Sequence, residues 1–113
     1  MIKDSLMFIK HIIESIELVE SFSRHVTKDK LEKNKLRQSA ILRQLEIIGE
    51  AAKNIPKEFT DKYKHIEWQK IIGLRDKLIH HYFGVDINIV WEVVDKDLPN
   101  LKRKLLEILD KEK

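Results

Sequence analysis

The 113-residue sequence has no cysteine, which excludes disulfides, thiolate metal sites and cysteine nucleophiles and permits a reducing compartment. Glycine and proline are scarce, at three and two residues. A β-sandwich or barrel needs a tight turn roughly every 8–12 residues, so an all-β fold is not expected. No long apolar run occurs. Met1 to Phe8 already contains Lys3 and Asp4, which fits neither a signal peptide nor a membrane span of about 20 apolar residues, and the expected location is the cytoplasm. Glycine-rich phosphate loops and Gly-x-Ser-x-Gly elbows are missing too. The five histidines, His11, His25, His65, His80 and His81, show no pair at i,i+3 or i,i+4 spacing, so no local metal site is expected.

What is present is 42% apolar and 36% charged residues, enough for one core and a solvated surface around it. The length suits a single domain, 1–113. The net charge of +3 is modest, but it is unevenly spread. Residues 27–64 hold ten cations (Lys28, Lys30, Lys33, Lys35, Arg37, Arg43, Lys53, Lys57, Lys62 and Lys64) against six anions (Asp29, Glu32, Glu46, Glu50, Glu58 and Asp61). A charge run on helices is usually a solvated face, and that is the first reading of this one; a polyanionic partner is the other.

Apolar residues recur at helical spacing through most of the chain. From Ile2 to about Val26 there are two stripes, Leu6, Ile9, Ile13 and Ile16, and Phe8, Ile12, Val19, Phe22 and Val26. So wide an apolar surface predicts a helix that packs in a bundle and also meets a second subunit. A lysine-rich connector from Thr27 follows, with room for one helical turn. Lys35 to Ile55 is the next helix, ended by Asn54 and Pro56. Within it Gly49 costs about 1 kcal/mol of helix propensity, which predicts a close backbone approach. A short amphipathic piece over 57–64 turns Phe59 and Tyr63 inward. The spacing of Ile71, Leu74, Leu78 and Tyr82 predicts a third long helix over Ile66 to Tyr82, stopped at Gly84. Asp86 is a cap for a helix through Val90, Val93 and Val94. Pro99 either kinks that helix or starts another, which carries Leu101, Leu105 and Ile108. The expected fold is all-α, an antiparallel bundle of four to five helices.

Chemistry concentrates in Gly73-Leu74-Arg75-Asp76-Lys77-Leu78-Ile79-His80-His81-Tyr82-Phe83-Gly84. On a helix, Asp76 and His80 would be neighbours, whereas Arg75 and His80, five apart, would diverge by roughly 140°. Fraying near Gly84 or a second copy across a two-fold axis would bring them together. Taken by itself, such a cluster is commonly surface charge at a helix end, with Tyr82 and Phe83 filling core.

Arg75-x4-His80-x-Tyr82 resembles the motif of HepT-like ribonuclease toxins, members of the HEPN superfamily of helical domains. The surrounding text is similar as well: Leu45-Glu46-Ile47-Ile48-Gly49-Glu50-Ala51-Ala52, Ile72-Gly73-Leu74-Arg75-Asp76, Val85-Asp86, Trp91 and Leu98-Pro99 with Leu101. The resemblance implies a metal-independent endoribonuclease with no cofactor, in which Arg75 and His80 are the catalytic pair and Asp76 is the polar residue that follows the arginine. The chemistry of the side chains agrees. Imidazole titrates near neutral pH and moves protons there, arginine is a fixed planar cation for phosphate oxygens, and Asp76 would orient His80. One histidine cannot be base and acid at once, so it acts in turn, shares the work with water, or meets a second His80 in a dimer. The resemblance favours the homodimer.

For Tyr82 three readings stand: a cleft-lining aromatic, a stacking platform for RNA bases, and, as the resemblance implies, the acceptor of AMP from an antitoxin resembling a minimal nucleotidyltransferase. The rival function is a non-catalytic nucleotide- or substrate-binding subunit of a two-component nucleotidyltransferase, with Arg75 and His80 merely holding phosphate. DNA binding by a helix-turn-helix is disfavoured by Asp86 and Glu92 after the turn. Glu46 and Glu50 share a helix face and are candidates to line a cleft.

Overall fold

The computed structural model describes residues 2–74, 76, 79, 80 and 84–113, with the backbone alone of residues 2, 79, 80, 84 and 85. Helix α1 spans Ile2–Ser23, and its i,i+3/i+4 isoleucines explain its place at the centre. Ile9, Ile12, Ile16 and Val19 are fully buried and Ile13 nearly so. Leu6, Phe8, Phe22 and Val26 pack partly buried against the same core. Both stripes pack within one chain, against α3 (Lys35–Lys53) and the last helix, α7 (Leu98–Lys111). Phe8, Phe22 and Val26 of the second stripe keep part of their surface exposed.

Between α1 and α3 lies α2 (Lys28–Glu32), started by the Thr27 hydroxyl, which accepts from the Lys30 N–H at 3.2 Å. So short a helix pairs few of its carbonyls within itself. Gln38, buried on α3, supplies the donors: its Nε2 reaches the carbonyls of Leu31 at 2.7 Å and Glu32 at 2.9 Å. Arg37 Nη1 likewise donates to the Phe22 carbonyl at 2.8 Å. The first turns of α3 thus fasten both preceding helices. Phe8 and His11 of α1 line a groove with Asn54 at the far end, so α1 and α3 run antiparallel.

After Pro56 comes α4 (Lys57–Lys62), with Phe59 buried on it and Tyr63 buried just beyond, as the amphipathic pattern predicts. Next is α5 (Trp68–Ile72), held by Trp68 Nε1 donating to the Tyr63 carbonyl at 3.0 Å. The final helical stretch begins at α6 (Ile87–Glu92), capped by Asp86, whose Oδ1 accepts from the N–H groups of Asn88 and Ile89. It continues through a π-helical turn over Val93–Asp97, closed by Leu98 N–H to Val93 carbonyl, into α7. In an unbroken α-helix the Pro99 ring would meet the Asp95 carbonyl and deny it a donor. The wider π turn absorbs one residue just before that clash, and Pro99 sits in the first turn of α7, where its missing N–H is tolerated.

The predicted helix over Ile66 to Tyr82 is not what forms. Helical backbone ends α5 at Ile72, is interrupted at Gly73, and recurs at Leu74 and Asp76, but residues Ile79–His80 (β1) are extended and pair antiparallel with Gly84–Val85 (β2), Ile79 opposite Val85 and His80 opposite Gly84. Gly84 lies in that pair rather than at a helix stop. Gly73, the poorest helix former after proline, caps α5, and β-branched Ile79 and Val85 suit the extended rung. Apart from this two-residue ladder, the described fold is all-helical.

Candidate functional site

The segment carrying the chemical motif is positioned from behind by α3 and α5. An added Cβ at buried Gly49 would stand 3.1 Å from the Ile72 carbonyl oxygen and 3.3 Å from that of Ile71. Glycine is what lets α3 pass this close to the backbone of α5, as its place in the sequence predicts. Ile71 and Leu74 are buried on either side of Gly73, whose N–H bonds to the Gln69 carbonyl at 3.1 Å. The chain therefore enters the motif from a backbone clamped three residues upstream of Arg75.

Asp76 is exposed on helical backbone. Arg75 and Tyr82 lie outside the described residues, as does the side chain of His80. The extended backbone at His80 changes the geometry expected from sequence. The roughly 140° divergence of Arg75 and His80 assumed one regular helix, and so did the adjacency of Asp76 and His80; neither applies once His80 sits in β1.

Beside this segment a groove of about 490 Å³ opens between α5 and the π turn with α7, lined by Lys70, Gly73, Leu74, Glu92, Asn100 and Lys104 among others. Lys70 is held in ion-pair contact with Glu67 at 2.8 Å, and that hydrogen bond raises its pKa. Sequence reasoning missed Glu92, Asn100 and Lys104 as groove residues, since they come from a helix with no motif of its own. Glu50 lines a different groove, between α1 and α3 with His11 and Arg43, and Glu46 lies 3.7 Å from Arg43. Among the described residues no three of His, Asp and Glu converge as metal ligands, and no helix is long and apolar enough to cross a membrane.

The profile of the family described as "Ribonuclease HepT-like" matches residues 12–108, a span that includes the motif, the Gly49 contact and the π turn. The chain belongs to the HepT-like ribonuclease family. It is 49% identical over 108 residues to a Methanocaldococcus jannaschii protein named "Gamma-glutamylcyclotransferase and putative RNase", covering 96% of this chain and 49% of that protein. It is 45% identical over 97 residues to "Probable ribonuclease HepT" of Thermococcus cleftensis, covering 86% of this chain and 88% of the relative. A Caldanaerobacter subterraneus protein named "Putative RNase" is 42% identical over 106 residues, covering 94% and 95%. The chain thus spans about half the length of the first relative and most of the other two. No solved structure matches the chain with statistical significance. For a HepT-like chain, the clamp of Gly49 on α5 marks where the scaffold meets the motif-bearing segment.

Proposed function

We propose that this chain is a metal-independent endoribonuclease, the toxin of a toxin–antitoxin pair, that cleaves RNA with Arg75 and His80. The observation that carries the reading is Arg75-x4-His80-x-Tyr82 lying inside the family-matched span. In the reaction the 2′-hydroxyl of RNA loses its proton and attacks the adjacent phosphorus, and the bond from phosphorus to the 5′-oxygen breaks. The products are a 2′,3′-cyclic phosphate and a 5′-hydroxyl. His80 moves protons at these oxygens, Arg75 meets the charge that builds on the phosphorane, and Asp76 belongs to the site as the polar residue that follows the arginine. Two chains pair so that two motifs face one cleft, which supplies a base and an acid together. Tyr82 is the acceptor of AMP from a nucleotidyltransferase-like antitoxin; the added phosphate puts negative charge and bulk where RNA must sit and so silences the enzyme.

Induced expression of the wild-type chain beside His80→Ala, followed by growth curves and denaturing gels of cellular RNA, tests the reading. Growth arrest with discrete RNA fragments in the wild type alone is expected. Intact RNA and normal growth with both, at equal soluble yield, would sink the toxin assignment and favour a binding subunit.

A further inference from the structure

Of the cations over 27–64, three find carboxylates in the structure and four gather at one corner. Arg43 lies near Glu46, Lys57 pairs with Asp61 and Lys62 with Glu112, and further along the chain Arg103 meets Glu107 and Lys113 meets Asp110. These are solvated faces of mixed sign. At the corner where α1, α2 and α3 meet, Arg24, His25, Lys30, Lys33, Lys35 and Arg37 line a cleft of about 680 Å³ completed by Val26 and Asn34. Among the described residues none of these Lys and Arg side chains lies within ion-pair distance of a carboxylate. Asp29 and Glu32 belong to α2 but do not line the cleft. Arg37 has one nitrogen on the Phe22 carbonyl, which holds its guanidinium at the cleft wall and leaves the other donors of the fork.

Two features aim this charge inward. Asn34 caps the 19-residue helix α3, whose positive dipole end adds to the local potential. His25 takes the left-handed backbone, φ 60°, which ends α1 and turns Arg24 and His25 back toward the start of α3. No Phe, Tyr or Trp lines the cleft, so bases have no stacking platform. A concave cluster of like charges with no internal counter-charge repels itself and focuses potential on a polyanion. Moreover α2 packs against α6, which begins five residues after Tyr82, so the corner adjoins the element that follows the motif.

We infer that this corner is an RNA exosite, a second surface that grips backbone phosphates without reading sequence and delivers the strand to the motif. The choice of RNA as the polyanion rests on the ribonuclease reading. The test is binding of a cleavage-resistant 2′-O-methyl oligouridine by the full chain, followed by fluorescence anisotropy across a salt series. Replacing Lys30, Lys33 and Lys35 together by Gln is expected to weaken binding about 10-fold or more, and to lower the slope of log affinity against log salt by about 2, at roughly 0.7 for each phosphate no longer neutralised. A control removes the same charge from ion-paired positions, Lys57→Gln, Arg103→Gln and Lys113→Gln, and is expected to cost less than about 3-fold. Thermal melts by circular dichroism check that both triple variants remain folded.

Equal losses in the two triples would overturn the exosite and leave net charge alone as the cause. Unchanged RNA affinity in the corner triple, or no binding by the wild type, would also overturn it and point to an acidic protein as the occupant. Because the probe cannot be cut, a wild type that binds it through the corner yet leaves ordinary RNA intact would remove the cleavage chemistry and keep the exosite.

Discussion

Helix α3 does different work at its two ends. At its C-terminal half Gly49, Ala51 and Ala52 are small and buried, and α5 lies against them so closely that a methyl group at Gly49 would press on two carbonyl oxygens. At its N-terminal end Lys35 is exposed and Arg37 half-buried, in a cleft of cations without carboxylate partners. One end positions by contact and the other attracts at a distance. Contact forces fall away within an ångström or so, whereas potentials persist over a Debye length of about 8–10 Å, so precision belongs where the chemistry is and capture can lie apart from it.

The largest expected effect lies at the motif end. His80→Ala is expected to lower the cleavage rate by about 10²–10⁴-fold, the usual worth of a general acid–base group, with the urea midpoint unchanged; a variant that cuts at the wild-type rate would break the comparison there. Next comes the clamp. Gly49→Val forces branched carbons onto the Ile71 and Ile72 carbonyls and is expected to cost about 1–3 kcal/mol in urea denaturation, with loss of cleavage as α5 shifts. An unaltered midpoint would mean that α5 is not held by this contact.

At the corner, the expected loss of RNA affinity in the lysine triple is smaller and leaves stability intact. The smallest effect lies away from both ends. The Tyr63 hydroxyl donates to Glu112, which also accepts from Lys62 at 2.6 Å. Burial, the hydrogen bond to Glu112 and the charge of Glu112 push the Tyr63 pKa up to about 12 from 10.0. A folded pKa above the unfolded one stabilises fully below the unfolded value, and that contribution is lost as pH rises from about 10 to about 12. Wild-type melting temperature should therefore fall more steeply over this window than that of Tyr63→Phe; parallel profiles would show that the hydroxyl adds nothing to stability.

Much of the scaffold was legible in the sequence because its signals are local. The apolar spacing marked α1 and α3, Asn54 with Pro56 marked the end of α3, Asp86 marked the start of α6, and Gly49 announced a close approach. The extended pair at 79–80 and 84–85 was hidden because Ile71, Leu74 and Leu78 keep helical spacing, whereas the pairing of Ile79 with Val85 is a contact that spacing does not encode. How much of the second stripe on α1 is buried depends on how many helices surround it, which is a property of the assembled bundle. The charge excess was visible as a count, but which cations find carboxylates is decided in space: Lys57 does, and Lys33 does not. Of the motif, only the exposed position of Asp76 and the backbone of His80 are described, and the extended backbone replaces the helical geometry that the spacing suggested.

The division of labour along α3 is tested most directly by steady-state cleavage of one defined RNA, with kcat and KM measured separately for the wild type, His80→Ala and the Lys30, Lys33 and Lys35 to Gln triple. A loss confined to kcat in the first variant and a rise of KM with kcat retained in the second is the predicted result. A fall in kcat with the corner triple equal to that with His80→Ala would contradict the separation of capture from chemistry.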